Sequence, residues 1–165
     1  MSGAGAKTVH ATALIVGAQG VLIRGASGAG KSSLALALIA AAQARGMFAR
    51  LVCDDRVRLA RAGDRVIAAP APHIAGLVER RGIGIDAIEH ESRAAISLVV
   101  DLGQAPERLP ETSHIVVDVL GASLPRMALG ARHVDDPAKV LAVLARIGGD
   151  VAGASPDSLT RNPRH

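Results

Sequence analysis

Apolar positions in the first third of the chain form short runs separated by glycine-rich turns. The runs Ala11 to Val16 and Val21 to Arg24 flank a GAQG turn and predict a β-hairpin. The Leu- and Ala-rich stretch from Ser32 to about Ala44 is typical of a helix, which the next glycine would end. Ala49 to Cys53 then predicts a buried strand. Strand, loop, helix and strand predict a right-handed βαβ unit whose two strands place their carboxyl ends on one edge.

The rest of the chain alternates further apolar runs with turns. The predicted strands are Arg56 to Ala60, Arg65 to Ala69, Ala95 to Leu102, Ile115 to Leu120 and Pro125 to Leu129. A short helix is predicted for His73 to Glu79 and a loop for the Gly-rich, charged Arg80 to Gly84. Apolar residues at helical spacing predict a helix over Pro137 to Ile147, capped by Asp135-Asp136. The pattern predicts one α/β domain over residues 8–148, with flexible tails at 1–7 and 149–165.

Composition narrows the class of protein. With 165 residues, of which 49% are hydrophobic, the chain can bury the core of one domain. The net charge of +4 comes from scattered arginines, and one Phe without Trp or Tyr leaves no basic and aromatic patches for nucleic acid. No apolar run reaches the roughly 18 residues of a membrane span. The single Cys53, in an apolar run, predicts a core thiol and a reducing, cytoplasmic setting.

The segment GASGAGKS matches the phosphate-binding loop GxxxxGKS/T, and it lies where that loop requires, between a strand and a helix. Backbone N–H groups in such a loop point at phosphate oxygens, and the helix N-terminus adds partial positive charge. Lys31 adds a full charge, and Ser32 is placed to bind Mg²⁺. The predicted nucleotide-binding residues are Gly25, Ala26, Ser27, Gly28, Ala29, Gly30, Lys31 and Ser32.

A pair of aspartates, Asp54-Asp55, ends the strand after the helix and is expected beside the phosphate loop. Mg²⁺ prefers carboxylates together with substrate phosphates, so one aspartate can hold the metal. The other can accept the proton of an incoming hydroxyl, as an aspartate does in protein kinases. Glu79 offers a second carboxylate for the metal, and the arginines beside it offer cations for phosphate.

Taken together, His10, GASGAGKS, the early DD pair and the segment VERRGIGI resemble the catalytic domain of the bacterial HPr kinase/phosphorylase family. The order and approximate spacing match from about residue 8 to residue 130. The resemblance implies a P-loop domain of the HPr kinase and phosphoenolpyruvate carboxykinase type. Its α/β fold would have a mixed sheet with hairpins and a long helix after the phosphate loop.

The resemblance also implies roles, carried over position by position. Asp55 resembles the residue that takes the proton from the substrate serine, which leaves Asp54 for the metal. His10 matches an active-site histidine near that aspartate. The other matched positions are catalytic Lys31 and Arg108, the magnesium ligands Ser32 and Glu79, and the signature residues Arg81 and Gly82.

The implied reaction moves the γ-phosphoryl group of ATP, with Mg²⁺, to a serine of HPr, the small carrier of the sugar phosphotransferase system. The chain resembles the short proteobacterial form of the family, which lacks an N-terminal domain, and family members assemble as hexamers. One departure concerns the family's PVxxGR segment, tied to dephosphorylation, since Pro125 to Arg132 reads PRMALGAR. The forward kinase reaction is therefore better supported than the reverse phosphorylase reaction.

Other classes of P-loop protein remain as alternatives. A small-molecule kinase would share the loop, although no inserted substrate lid is visible in the sequence. A nucleotide-sensing module would bind ATP without transferring phosphate. A GTPase is disfavoured because no NKxD motif occurs in the chain.

Overall fold

The computed structural model describes residues 5–71, 77–80, 84–87, 90–103, 115–130 and 134–152. The strands within these ranges are β1 (Lys7–Val16), β2 (Gln19–Arg24), β3 (Ala49–Cys53), β4 (Arg56–Ala62), β5 (Arg65–Pro70), β6 (Leu77–Arg80), β7 (Gly84–Ala87), β8 (Ala94–Leu102), β9 (Val116–Val119) and β10 (Ala122–Leu129). The helices are α1 (Lys31–Ala44) and α2 (Asp136–Ala152).

The main sheet is mixed and carries eight strands in the described part of the chain. Its order is β2-β1-β4-β5-β8-β10-β9, with β3 paired to β1 and a further pairing between β2 and β8. Strand β1 is antiparallel to both β2 and β3, so β2 and β3 run parallel with β1 between them. The predicted βαβ unit is confirmed in its elements and in the common direction of its two strands, with β1 inserted between them. The right-handed crossover stays a prediction.

Four strands of this sheet end at the same edge. Strand β8 is parallel to β2, and β10 is parallel to β8, while β3 shares the direction of β2. Their carboxyl ends therefore follow one another in the order β3, β2, β8 and β10. In open α/β sheets this is the edge at which ligands bind.

Two apolar cores lie on the two faces of the sheet. One core is covered by both helices. Its most deeply buried residues, each at most 1% exposed, include Leu14, Ile23, Leu38, Leu98 and Leu144. The other lies on the opposite face and is built from small and branched residues such as Ala13, Val52, Val57 and Val99. Aliphatic residues fill both cores, as the composition predicts, since the one Phe of the chain, Phe48, is exposed. No helix among the described residues is long and apolar enough to cross a membrane.

Two sequence predictions for the segment after β5 are wrong. The helix predicted for His73 to Glu79 is wrong over residues 77–79, which belong to β6. Arg80 and Gly84, predicted as loop, form a cross-strand pair between β6 and β7. Antiparallel pairing satisfies the backbone groups that each strand turns toward the other, which a loop would leave to water. Residues 72–76 and 81–83 lie outside the described part.

The second helix is longer than its apolar spacing predicts, because it continues from Ile147 to Ala152. Two glycines in this extension have low intrinsic helix propensity. The helix is anchored before them, since the side chain of Gln19 donates to the Leu144 carbonyl at 3.0 Å. A Cβ atom added at Gly148 would lie 3.5 Å from Gln19, so this turn packs closely on the β1–β2 hairpin. The proposed limits of the domain and its tails otherwise stay predictions.

An ion network around the buried Asp101 joins the ends of β2 and β8 to the middle of β10. Asp101 accepts two hydrogen bonds from Arg24, at 2.7 and 2.8 Å, and one from Arg126. Burial by itself would raise the pKa of Asp101, but the bonds from the two guanidinium groups outweigh it and hold the pKa below its ordinary value. The bond to Asp101 in turn raises the pKa of Arg24. The network fixes the strand that delivers the chain into the predicted phosphate loop.

We expect Asp101→Asn to lower the free energy of unfolding by about 3 kcal/mol or more at pH 7. The reason is that the guanidinium groups of Arg24 and Arg126 would lose the carboxylate that pairs with them. A depressed pKa stabilises the fold above the ordinary carboxyl range, near about pH 4, and this contribution disappears as the pH falls through the folded-state pKa. Urea unfolding between pH 3 and 7 would measure the difference from the parent. Asp64→Asn, in the exposed β4–β5 turn, is the control, and a penalty that persists unchanged at pH 3 would contradict the assignment.

Candidate functional site

The phosphate-binding loop lies between β2 and α1 and depends on its glycines. Gly28 and Gly30 have φ values of 81° and 100°, in the left-handed region that glycine tolerates. At Gly25 an added Cβ atom would come within 3.2 Å of the Leu102 carbonyl oxygen. The loop therefore turns tightly at the sheet edge and directs the first N–H groups of α1, which have no partner within the helix, toward the same space.

The side chain of Lys31 folds back into the phosphate loop. Its ammonium group donates to the carbonyls of Gly25 and Ala26 at 2.9 and 3.0 Å, and the residue is only 7% exposed. A positive charge is thus held within the turn, next to the positive end of the α1 dipole. Both features favour the binding of phosphate.

Asp54 lies at the end of β3, beneath the start of α1. The Ser32 hydroxyl is 2.7 and 2.9 Å from its two carboxylate oxygens, so the predicted approach of these residues is confirmed. The carboxylate is buried, at 6% exposure, and also accepts a bond from the Thr12 hydroxyl at 2.7 Å. A hydroxyl and a carboxylate side by side are oxygen ligands of the kind that Mg²⁺ takes together with phosphates.

Asp54 and Ser32 are two side chains that could bind a metal ion together with the phosphates of a substrate. Among the residues that the structure describes, no three His, Cys, Asp or Glu side chains are grouped closely enough to hold an ion. Enzyme-bound Mg²⁺ commonly uses one or two carboxylates and completes its shell with waters and substrate phosphates. The donor set at Asp54 and Ser32 fits that use.

Asp55 has a very different environment from its neighbour. Its side chain is 64% exposed, and its carboxylate lies 3.1 Å from Nδ1 of His10, which is 52% exposed. Its backbone has φ 72°, an uncommon conformation for a residue with a side chain. The Asp55 carbonyl still accepts a bond from Ala11 N–H at 3.2 Å, which ties the turn to β1. The structure thus separates the pair into a buried carboxylate beside Ser32 and an accessible one beside an imidazole.

Three of the residues that hold this site in place were not among those singled out from the sequence. Thr12 is fully buried in β1 and bonds to Asp54. Arg24 and Asp101 form the ion pair directly before the loop and at the end of β8. A signal existed in each case: a lone hydroxyl in the run ATALIV, and single charges at the ends of otherwise apolar strands.

Other predicted site residues stay predictions. The backbone of Glu79 belongs to β6, which contacts α1, but its side chain lies outside the described part of the structure. Arg81, Gly82 and Arg108 lie outside it entirely. Cys53, expected as a core thiol, is buried, and burial raises its pKa to about 11.

Replacing Thr12 by Val keeps the shape of the side chain but removes the donor to Asp54. We expect a loss of about 1–3 kcal/mol in the free energy of unfolding, because a buried carboxylate loses a hydrogen bond. Thr12→Ser should retain most of the stability. Urea unfolding measures both, and Thr8→Val, at an exposed position of the same strand, is the matched control.

A double-mutant cycle isolates the contact itself. If Thr12 acts through Asp54, Thr12→Val should cost much less in an Asp54→Ala background, which has no acceptor for the hydroxyl, than in the parent. Equal costs in the two backgrounds would show that Thr12 stabilises the protein only by packing.

The sequence of this chain is similar to those of known proteins. Residues 3–146 match a family model described as "HPr Serine kinase C-terminal domain". An HPr kinase/phosphorylase from Exiguobacterium sp. is 33% identical over 152 residues, which are 84% of this chain and 45% of that relative. One from Bordetella pertussis is 38% identical over 135 residues, or 74% of this chain and 42% of the relative. The chain spans less than half the length of these curated relatives.

A solved structure shows the same likeness in three dimensions. The structure titled "Structure of the Hpr(Ser) kinase/phosphatase from Coxiella burnetii" superposes with a TM-score of 0.69 at 26% sequence identity. The match covers 87% of this chain and 99% of that chain. The mixed sheet and the helix after the phosphate loop therefore recur in a solved protein of that title.

Proposed function

This chain belongs to the HPr serine kinase C-terminal domain family, and we propose that it transfers the γ-phosphoryl group of ATP to a serine of an HPr-like phosphocarrier protein. The observation that carries the proposal is that two adjacent aspartates have different environments. Asp54 is buried beside Ser32, and Asp55 is exposed beside His10. Phosphoryl transfer needs both a place for the metal and a base for the attacking hydroxyl.

The phosphate loop would bind the triphosphate. The N–H groups at the start of α1 and the ammonium of Lys31 supply positive charge at the edge where β2 ends. Ser32 and Asp54 would hold Mg²⁺ together with phosphate oxygens, and the bound ion would neutralise negative charge on the transferring group. Glu79 stays a proposed further ligand.

Asp55 would act as the general base. Its carboxylate would accept the proton of the serine hydroxyl while the serine oxygen forms a bond to the γ-phosphorus and the bond from that phosphorus to the β–γ bridging oxygen breaks, leaving ADP. His10, at 3.1 Å, would orient the carboxylate for this role. Because Asp55 is 64% exposed, a serine carried on the surface of another protein could reach it. This accessibility favours a protein acceptor over a small molecule.

The proposal covers the forward reaction. The segment PRMALGAR departs from the family pattern tied to dephosphorylation, and Pro125 to Leu129 lies within β10. Assembly as a hexamer and roles for Arg81 and Arg108 are further implications of family membership. A cytoplasmic location is part of the proposal, supported by a buried, reduced Cys53 and by the location expected of a phosphocarrier acceptor.

Lys31→Ala should weaken Mg-ATP binding at least about tenfold, because it removes the charge held inside the loop. Calorimetric titration of each variant with Mg-ATP measures the effect. Lys7→Ala, at the exposed start of β1, provides a matched loss of one charge. Unchanged affinity in Lys31→Ala would contradict the whole phosphate site.

Asp55→Asn should leave Mg-ATP affinity within about twofold of the parent while transfer falls at least about 100-fold, because the amide cannot accept the serine proton. The assay is intact-mass analysis of an HPr-type carrier incubated with enzyme and Mg-ATP, with the modified residue mapped. Asp64→Asn is the control for loss of an exposed aspartate. If the parent binds ATP but adds no phosphoryl group to any carrier, a nucleotide sensor would replace the kinase proposal.

A further inference from the structure

An apolar cavity of about 320 Å³ opens beside the phosphate loop, on the side away from Asp54. It is lined by the buried Leu34 and Leu102 and by the exposed Ser33, Ala37 and Val134, among others. The volume falls at the lower end of the range of about 300–1,000 Å³ for small-molecule sites. The side chains given roles above, those of Lys31, Ser32 and the two aspartates, do not line this cavity.

The cavity is continuous with the phosphate loop. Ala29 and Gly30 belong both to the loop and to the cavity wall, and Ser33, Leu34 and Ala37 extend that wall along one face of α1. The opposite wall is supplied by the ends of β8 and β10 and by the start of α2. A molecule that extends from the loop in this direction would enter the cavity directly.

The order of strands sets the direction in which a bound triphosphate would lie. The carboxyl ends follow one another as β3, β2, β8 and β10. The reacting end of the nucleotide belongs toward β3, because the serine of a P-loop holds the Mg²⁺ of the β- and γ-phosphates. Here that serine, Ser32, lies 2.7 Å from Asp54 at the end of β3. The α-phosphate and everything attached to it must then lie toward β8 and β10. The cavity occupies that position.

We infer that this cavity takes the sugar and purine base of the nucleotide, an inference that rests on the proposed function. The aliphatic side chains of Leu34, Leu102 and Val134 would contact the faces of the base. Such contact needs no aromatic partner, which suits a chain without Trp or Tyr whose one Phe lies in the turn between α1 and β3. The nucleotide would thus be held by charge at its phosphates and by apolar burial at its base.

Filling the cavity tests the inference. Ala37→Phe places a large side chain on an exposed position of its wall, and Ala40→Phe makes the same change at an exposed position of α1 outside the wall. Calorimetry would measure two probes with each variant: Mg-ATP, which has a nucleoside, and inorganic tripolyphosphate with Mg²⁺, which has none. We expect Ala37→Phe to lower the affinity for Mg-ATP at least about tenfold and the affinity for tripolyphosphate less than about twofold. Ala40→Phe should bind both probes as the parent does.

The two probes separate this inference from the function on which it rests. ATP affinity that is unchanged in Ala37→Phe would overturn the cavity assignment and leave the kinase proposal standing. Equal weakening of both probes would overturn it as well, because the substitution would then act through the phosphate loop. A parent protein that binds neither probe would overturn the proposed function, and the inference with it. Retained tripolyphosphate binding also shows that the variant is folded.

Discussion

The site depends on one buried carboxylate. Asp54 accepts hydrogen bonds from Thr12 on β1 and from Ser32 at the start of α1, so it joins the end of β3 to both of these elements. A buried carboxylate without such donors would be strongly destabilising. The same bonds that stabilise it also fix the position of Ser32 relative to the phosphate loop. Stability of the fold and geometry of the site are therefore supplied by the same contacts.

The parallel strands around this carboxylate distribute the remaining chemistry. Because β3, β2, β8 and β10 end at one edge, the aspartate pair, the phosphate loop and the apolar cavity lie in that order across the sheet. The network of the buried Asp101 with Arg24 and Arg126 holds the ends of β2 and β8 against the middle of β10. The edge therefore presents charged groups where β3 and β2 end and an apolar cavity where β8 and β10 end.

Local signals account for what could be predicted from the sequence. The hairpin of β1 and β2, helix α1 and the loop GASGAGKS are each encoded within a few residues, and the crossover rule then places Asp54 beside Ser32. Long-range pairing accounts for most of the rest. Strand β6 pairs with β7 through a Gly-rich segment whose composition indicates a loop. Thr12 acquires its role only when β3 is paired beside β1, which spacing along the chain does not reveal.

The exposure of Asp55 bears on the kind of acceptor. Water solvates an exposed carboxylate and weakens its interaction with a substrate hydroxyl. General-base catalysis therefore benefits when water is excluded from the site. Small-molecule kinases achieve this by closing a segment of their own over the substrate. Here the side chains of Asp55, the proposed base, and His10 are 64% and 52% exposed. An acceptor protein that docks on this face would itself exclude the water, and the positive φ of Asp55 keeps the carboxylate presented there while its neighbour stays buried.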